Sequence, residues 1–244
     1  MFSIFRKKNN EFSDFSALYC DMHSHLIPGI DDGSPDMETS LQLIKSLADL
    51  GYKKIITTPH IMWDMYKNTN EIIQSGWEAV KKELDQKKMA VDFYAAAEYF
   101  MDDYFSTLLD DDAPLLTLKD NLVLVEFSFV KAPMDFKEML FKLQIKGYQP
   151  VIAHPERYLY FGANKKWYDE IKNIGCLFQL NLLSLSGFYG KAPMELAQYL
   201  IKQKYINLLG TDLHNARHIE ALGFTSSDIV KKLLDSGMIQ NPQL

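Results

Sequence analysis

Hydrophobic and polar positions along the chain follow a repeating scheme. Short apolar runs alternate with longer segments in which apolar residues return every three or four positions. The runs occupy residues 17–20, 54–57, 91–97, 122–125, 150–153, 176–180 and 206–209. They are rich in Val, Ile, Tyr and Phe and short enough to be buried strands. The helical period predicts helices over 70–88, 136–146, 165–173, 194–204 and 226–235. A further helix is predicted to start at Ser34 as N-cap with Pro35 in its first turn. It runs through Leu41, Ile44, Leu47 and Ala48 on one face and stops near Gly51. Gly147 and Gly175 fall just past two predicted helix ends, where a left-handed residue is wanted.

Seven strands alternating with helices predict a parallel α/β fold. Periodicity alone leaves a barrel and an open sheet equally available. No Pro/Gly/Ser-rich linker divides the chain, so the expectation is an N-terminal arm, 1–16, followed by one domain, 17–244. A length of 244 residues suits a single α/β barrel. The 47% hydrophobic and 24% charged content excludes global disorder. Acids outnumber bases 32 to 26, and a net charge of −6 argues against a nucleic-acid footprint. Two cysteines, Cys20 and Cys176, make no disulfide framework and suggest a cytoplasmic setting. No apolar run reaches eighteen residues, so no integral membrane span is expected.

Polar chemistry collects where the predicted strands end. The first strand is followed by Asp21-Met-His23-Ser-His25 and then Asp31-Asp32-Gly33. The second ends in Thr58-Pro-His60, the third in Glu98, the fourth in Glu126, the fifth in His154-Pro-Glu-Arg157 and the seventh in Asp212-Leu-His214. Five of the six histidines therefore sit at strand C-termini, the functional face of parallel α/β folds. His218 has no such position and reads as a surface or loop histidine. Taken singly, each residue has an ordinary explanation as a turn, cap or solvated loop acid. Together on one rim, like charges would repel without a cation. Nitrogen and oxygen donors without thiolate suit Mn, Fe, Zn or mixed divalent ions, and nine of them exceed the need of one ion.

Nucleophilic side chains fare poorly. Leu26 and Leu182, not arginines, stand six residues after Cys20 and Cys176, and there is no Gly-x-Ser-x-Gly elbow or phosphate-cradling glycine loop. The expected nucleophile is then metal-bound water or hydroxide. Ile61-Met62-Trp63, Tyr66, Tyr158, Tyr160, Phe161, Phe188 and Tyr189 are candidates for an apolar slot on the rim, at least half of them packing beneath loops instead.

These residues resemble the PHP (polymerase and histidinol phosphatase) superfamily, and more narrowly the bacterial metal-dependent protein-tyrosine phosphatases of the CpsB/YwqE type. The resemblance rests on His23-Ser-His25, Asp31-Asp32-Gly33, Thr58-Pro-His60, Ala97-Glu98, Val125-Glu126-Phe-Ser128, Ala153-His154-Pro-Glu-Arg157 and Thr211-Asp212-Leu-His214-Asn215, in order from Tyr19 to Asn215. It implies a distorted (β/α)7 barrel with a trinuclear site. The implied metal ligands are His23, His25, Asp32, His60, Glu98, Glu126, His154, Asp212 and His214, with Glu98 bridging two ions and Arg157 contacting phosphate. A second active-site arginine of the family has its nearest counterpart in Arg217, at a spacing that departs from some relatives.

The resemblance also implies two or three divalent ions per chain, manganese first, with iron, zinc or magnesium as alternatives. The expected reaction is hydrolysis of phosphotyrosine on a protein by a metal-bound hydroxide, with His214 or Asp32 assisting proton transfer. The expected partner is a bacterial tyrosine kinase of capsular or exopolysaccharide synthesis, through a tyrosine-rich tail. The alternatives are a small-molecule phosphatase of the histidinol-phosphate kind and an inactive metal-binding scaffold.

Overall fold

The computed structural model describes residues 13–244. The expected N-terminal arm falls largely outside them. Within 13–16, Phe15 is buried and Ser13 Oγ donates to the carbonyl of Thr225, 2.6 Å away.

The strands are β1 (Cys20–Asp21), β2 (Lys54–Thr57), β3 (His60–Ile61), β4 (Asp92–Ala95), β5 (Glu98–Phe100), β6 (Leu122–Glu126), β7 (Gln149–Ala153), β8 (Leu177–Asn181) and β9 (Leu208–Gly210). The helices are α1 (Met37–Asp49), α2 (Asn70–Gln86), α3 (Asp103–Asp110), α4 (Phe136–Ile145), α5 (Leu159–Gly162), α6 (Lys166–Asn173), α7 (Leu182–Ser186), α8 (Lys191–Lys202), α9 (Ala216–Leu222) and α10 (Ser227–Asp235).

Every strand pair is parallel, in the orders β1-β2-β4 and β3-β5-β6-β7-β8-β9. The two sheets are one. β3 continues β2 beyond Thr58-Pro59, and β5 continues β4 beyond Ala96-Ala97, so seven strands result among the described residues. Their edges meet between β1 and β9, where Ser24 pairs with Leu213 and Asp212 N donates to His23 O at 2.7 Å. Side chains complete that seam. Asp21 accepts from Thr211 N and Oγ1, while buried Asn241 donates to Cys20 O and Leu209 O and accepts from Leu209 N. The result is the distorted (β/α)7 barrel expected, its first strand shifted from 17–20 to Cys20–Asp21.

Period-2 alternation separates inside from outside. Ile56, Leu124, Val151, Ala153 and Leu208 join Cys20 and Met22 in a small core inside the barrel. Their neighbours Ile55, Val123, Val125, Ile152 and Leu209 belong to the larger core shared with the helices. Helix starts follow from local capping: Asp36, Asp102, Asn181 and Asn215 each accept a backbone N–H two or three residues on, within the first turn, contacts of about 1 kcal/mol each. The expected cap at Ser34 is thus corrected to Asp36, whose Oδ1 accepts from Thr39 N at 2.8 Å. Ser34 is instead buried, its N donating to His25 O. Gly147 and Gly175 take left-handed φ of +84° and +96° after α4 and α6, as their positions predict.

Candidate metal centre

The inward parity of the strands delivers side chains to the top of the barrel. Glu98 follows Ala96, Glu126 follows Leu124, and Asp212 follows Leu208 and Gly210 in the same alternation. Gly210 is small for a reason: a Cβ there would meet His23 Cβ at 2.8 Å and Gln179 Nε2 at 2.7 Å. His154 breaks the alternation. Ala153 already faces inward, so a continued strand would turn His154 away. A left-handed backbone at φ +30°, ψ +57° returns its imidazole to the centre, the kind of sparsely populated conformation that clusters at functional sites.

Four groups form around a common centre: His25, Asp32, His60 and His214; His23, His154 and Asp212; His23, His25 and Glu98; and His60, Glu98 and Glu126. Within each, the potential ligand atoms lie within 4.8 Å of one another. Glu98 is the hub. His23 Nε2, His60 Nδ1 and His154 Nε2 approach its carboxylate at 3.2, 3.1 and 3.2 Å. Yet neither Glu98 oxygen, nor His60 Nδ1, finds a hydrogen-bond partner among the described residues, though all are buried. A buried carboxylate ordinarily costs too much to leave unpaired, and a cation is the partner this arrangement fits.

Oxygen acceptors behind the imidazoles orient them. His23 Nδ1 donates to Gln179 Oε1 (2.9 Å), His25 Nδ1 to Asp31 Oδ2 (2.8 Å) and His214 Nδ1 to Asp212 O (2.9 Å). In each case Nε2 is the atom left to face the centre. Asp31 and Asp32 thereby divide their work: Asp31 is buried behind His25, whereas Asp32 is half-exposed with Oδ1 3.5 Å from both His60 Nε2 and His214 Nε2.

Electrostatics reflect the crowding. Burial is the largest single influence on His23 and His60 and opposes their charge. The surrounding acids together outweigh it, Glu98 with Asp212 around His23 and Glu98 with Glu126 and Asp31 around His60, and push them up to about 9 and about 10. Burial holds His154 down, to about 4. Glu126 is raised by burial and then by repulsion from Glu98, while Glu98 and Asp212 are held low by the histidines around them despite their burial.

A cleft of about 260 Å3 opens above this cluster. Arg157 lines it, with Nη1 2.7 Å from Asp212 Oδ2, as do Phe129, Tyr189 and His218. Arg217 does not line the cleft; it is exposed at the start of α9. His218, expected as a surface or loop residue, sits on α9 with Nδ1 3.3 Å from His214 N and faces the cleft. Of the aromatic rim, Tyr189 lines the cleft and Tyr66 stacks on His60 at 5.6 Å, whereas Tyr158 and Phe161 are buried and Trp63 stacks on Tyr104. Phe129, not anticipated, stacks on His154 at 5.5 Å. Gln179 and Asn181 were also missed. They come from β8, the strand that contributes no ionisable residue, and their signal is a polar i, i+2 pair ending an apolar run. Asn181 Nδ2 donates to Asp212 Oδ2 at 2.9 Å.

An α/β barrel carrying His, Asp and Glu at its strand C-termini defines the class as a candidate metallohydrolase. The chain belongs to the CpsB/CapC family of capsular polysaccharide synthesis, whose model matches residues 19–241. It is 29% identical over 200 residues to the tyrosine-protein phosphatase YwqE of Bacillus subtilis, covering 81% of this chain and 78% of that one. Over 201 residues it is 29% identical to the tyrosine-protein phosphatase CpsB of Streptococcus agalactiae, covering 80% and 82%. It also matches a chain from the crystal structures of YwqE from Bacillus subtilis and CpsB from Streptococcus pneumoniae, described as metal-dependent tyrosine phosphatases. The TM-score there is 0.76 at 26% identity, covering 88% of this chain and 94% of that one.

Proposed function

We propose that this protein is a metal-dependent phosphomonoester hydrolase that removes phosphate from phosphotyrosine in proteins. The observation that carries the reading is one cleft lined by Arg157 together with Asp32, His60, Glu126, His154, Asp212 and His214, six of the nine residues of the ligand cluster. His23, His25, Asp32, His60, Glu98, Glu126, His154, Asp212 and His214 would hold two or three divalent ions, manganese first, with iron, zinc or magnesium as alternatives. Such ions would supply Lewis acidity at the phosphoryl oxygens and an activated water for hydrolysis.

The chain's own groups do the rest. Arg157 offers its remaining N–H donors to a phosphoryl oxygen in a charge-assisted contact, while Asp212 and the rings of Phe129 and Tyr189 fix its guanidinium. Asp32 and His214, at the mouth of the cleft, are positioned to hold a proton for the leaving oxygen. A phenolate, with a pKa of about 10, needs little such help. Tyr189 and Phe129 offer apolar walls to an aryl ring. Arg217, being exposed, is at most a peripheral contact for the substrate protein.

The family's place in capsular polysaccharide synthesis and the relatives' phosphotyrosine chemistry point to a phosphotyrosine protein of that process as the substrate, for which our reading is a tyrosine kinase. Two buried free cysteines support a cytoplasmic site of action, and no helix among the described residues is long and apolar enough to cross a membrane. The test compares phosphate release from a phosphotyrosine peptide and from histidinol phosphate by manganese-loaded protein. Preference for the peptide is expected; preference for histidinol phosphate would move the assignment to a small-molecule phosphatase. Release from neither would leave the scaffold alternative.

A further inference from the structure

Beside the cleft lies a second, more apolar pocket of about 340 Å3. The loop between β6 and α4 separates the two: Phe129 lines the cleft, and 131–134 line the pocket. The far wall is aromatic, with Trp167 5.5 Å from both Phe136 and Phe161. This loop is pinned where it leaves the barrel. Phe127 N donates to Tyr158 Oη at 3.0 Å, and Tyr160 Oη donates to Ser128 O at 2.9 Å. Yet it presents large apolar side chains to solvent: Phe129 is 47% exposed, Val130 84% and Met134 98%. An anchored loop with an apolar crest, bridging two concavities, has the marks of a surface awaiting a partner.

Two lysines stand at the pocket. Lys131 lines it, is exposed and pairs with no carboxylate among the described residues. Lys137 lies 5.2 Å over the Trp167 ring and reaches Glu170. With Lys137 already paired, Lys131 is the basic group left at this lip without a carboxylate among the described residues, and on a chain of net charge −6 it favours an acidic residue in the partner segment.

We infer that this pocket binds an apolar side chain of the polypeptide substrate itself, close in sequence to the phosphotyrosine and beside an acidic residue that meets Lys131. The inference rests on the proposed phosphatase reading, because the occupant is the chain whose phosphotyrosine fills the neighbouring cleft. From Phe129 to the pocket residues is two to five positions along one loop, so the span is about 7–17 Å at most. An extended peptide crosses that distance in about two to five residues. A pocket of this kind reads side-chain size and apolarity; a free aryl phosphate, which has no flanking residues, cannot use it.

The test is a set of phosphotyrosine peptides, serine at every other position, with a single leucine scanned from five residues before to five after. Manganese-loaded protein is expected to favour leucine at one or two adjacent positions on one side by about ten-fold in kcat/KM. Met134→Glu, at a side chain that packs against nothing, is expected to bring that ratio to about one. A glutamate beside the favoured leucine should raise kcat/KM further, and Lys131→Ser should remove that gain. Equal rates for all leucine positions, or a leucine preference untouched by Met134→Glu, would overturn the inference while the phosphatase reading stands. Failure to release phosphate even from para-nitrophenyl phosphate would mark failure of the phosphatase reading, and this inference would fall with it.

Discussion

Arg157 is tied to Asp212 by a 2.7 Å contact from Nη1 to Oδ2, and its guanidinium lies over two aromatic rings, Phe129 at 4.6 Å and Tyr189 at 4.1 Å. The other oxygen of Asp212 faces His23, His25 and His214 at 3.4–3.6 Å. One carboxylate thus joins the proposed phosphate-binding arginine to the proposed ligand cluster, and Asn181 holds that carboxylate independently.

Arg157→Ala is therefore expected to lower kcat/KM on a phosphotyrosine peptide by about 10²–10³ while metal content stays near wild type. Arg157→Lys should recover only part of the loss, because an ammonium cannot make a forked contact. Steady-state kinetics together with elemental analysis check both statements. Loss of metal along with activity would make Arg157 a structural brace.

Metal uptake should release protons. Glu98, together with Asp212 around His23 and with Glu126 and Asp31 around His60, pushes these imidazoles up to about 9 and about 10 against the effect of burial, so the metal-free protein carries their protons at neutral pH. Ligation requires neutral imidazole, so those protons must leave, and apparent affinity for divalent ions rises as pH increases toward 9. Calorimetric titration in buffers of differing ionisation enthalpy should read at least one proton released per protein at pH 7. Zero release, with affinity flat from pH 6 to 9, would contradict it.

Close backbone approach guards the Asp31-Asp32 turn. A Cβ on Gly33 would stand 2.2 Å from His25 O and 2.4 Å from His25 Cβ. Gly33→Ala must displace either His25 or Asp32, and activity is expected to fall about a hundred-fold, as for a misplacement of about 1 Å. Gly147→Ala is the control. Its φ of +84° strains an alanine by about 1–2 kcal/mol, but nothing lies within 4 Å. The melting temperature should drop and kcat/KM should hold.

Glu156 offers a stability signature. Its Oε1 accepts from Asn181 N at 3.0 Å and Ser184 Oγ at 2.7 Å, while its buried Oε2 has no partner among the described residues. Burial pushes its carboxyl from 4.5 up to about 7. The fold thus prefers the neutral acid. Its contribution to stability is complete below about pH 4.5 and is lost as pH rises through 7. Glu156→Gln stays neutral throughout, so its melting temperature should exceed wild type at pH 8 and lose that advantage near pH 5. A variant less stable than wild type at pH 8 would show that the carboxylate form is the stabilising one.

Much of this architecture was legible in the sequence because each strand writes its apolar run and its terminal ligand side by side: Val125-Glu126, Ala153-His154 and Gly210-Thr-Asp212 are examples. What escaped was set by contacts across the fold. The second and third strands resume after Pro59 and Ala97, and only their neighbours' ladders reveal β3 and β5. α3 is short and begins among acids, with Phe105 and Leu109 as its only buried residues. Ser34 lost the cap to Asp36 because the turn before α1 folds it against His25. Gln179, Asn181 and Phe129 act on neighbours remote in sequence, and His218 reaches the cleft only because α9 turns it there.

The most direct measurement is a manganese titration of chelator-stripped protein, following phosphate release from a phosphotyrosine peptide. Hydrolysis should be absent without metal, rise with added manganese and saturate at two or three ions per chain. Full activity in the stripped protein, or none with the cluster loaded, would contradict a hydrolase built on these nine ligands.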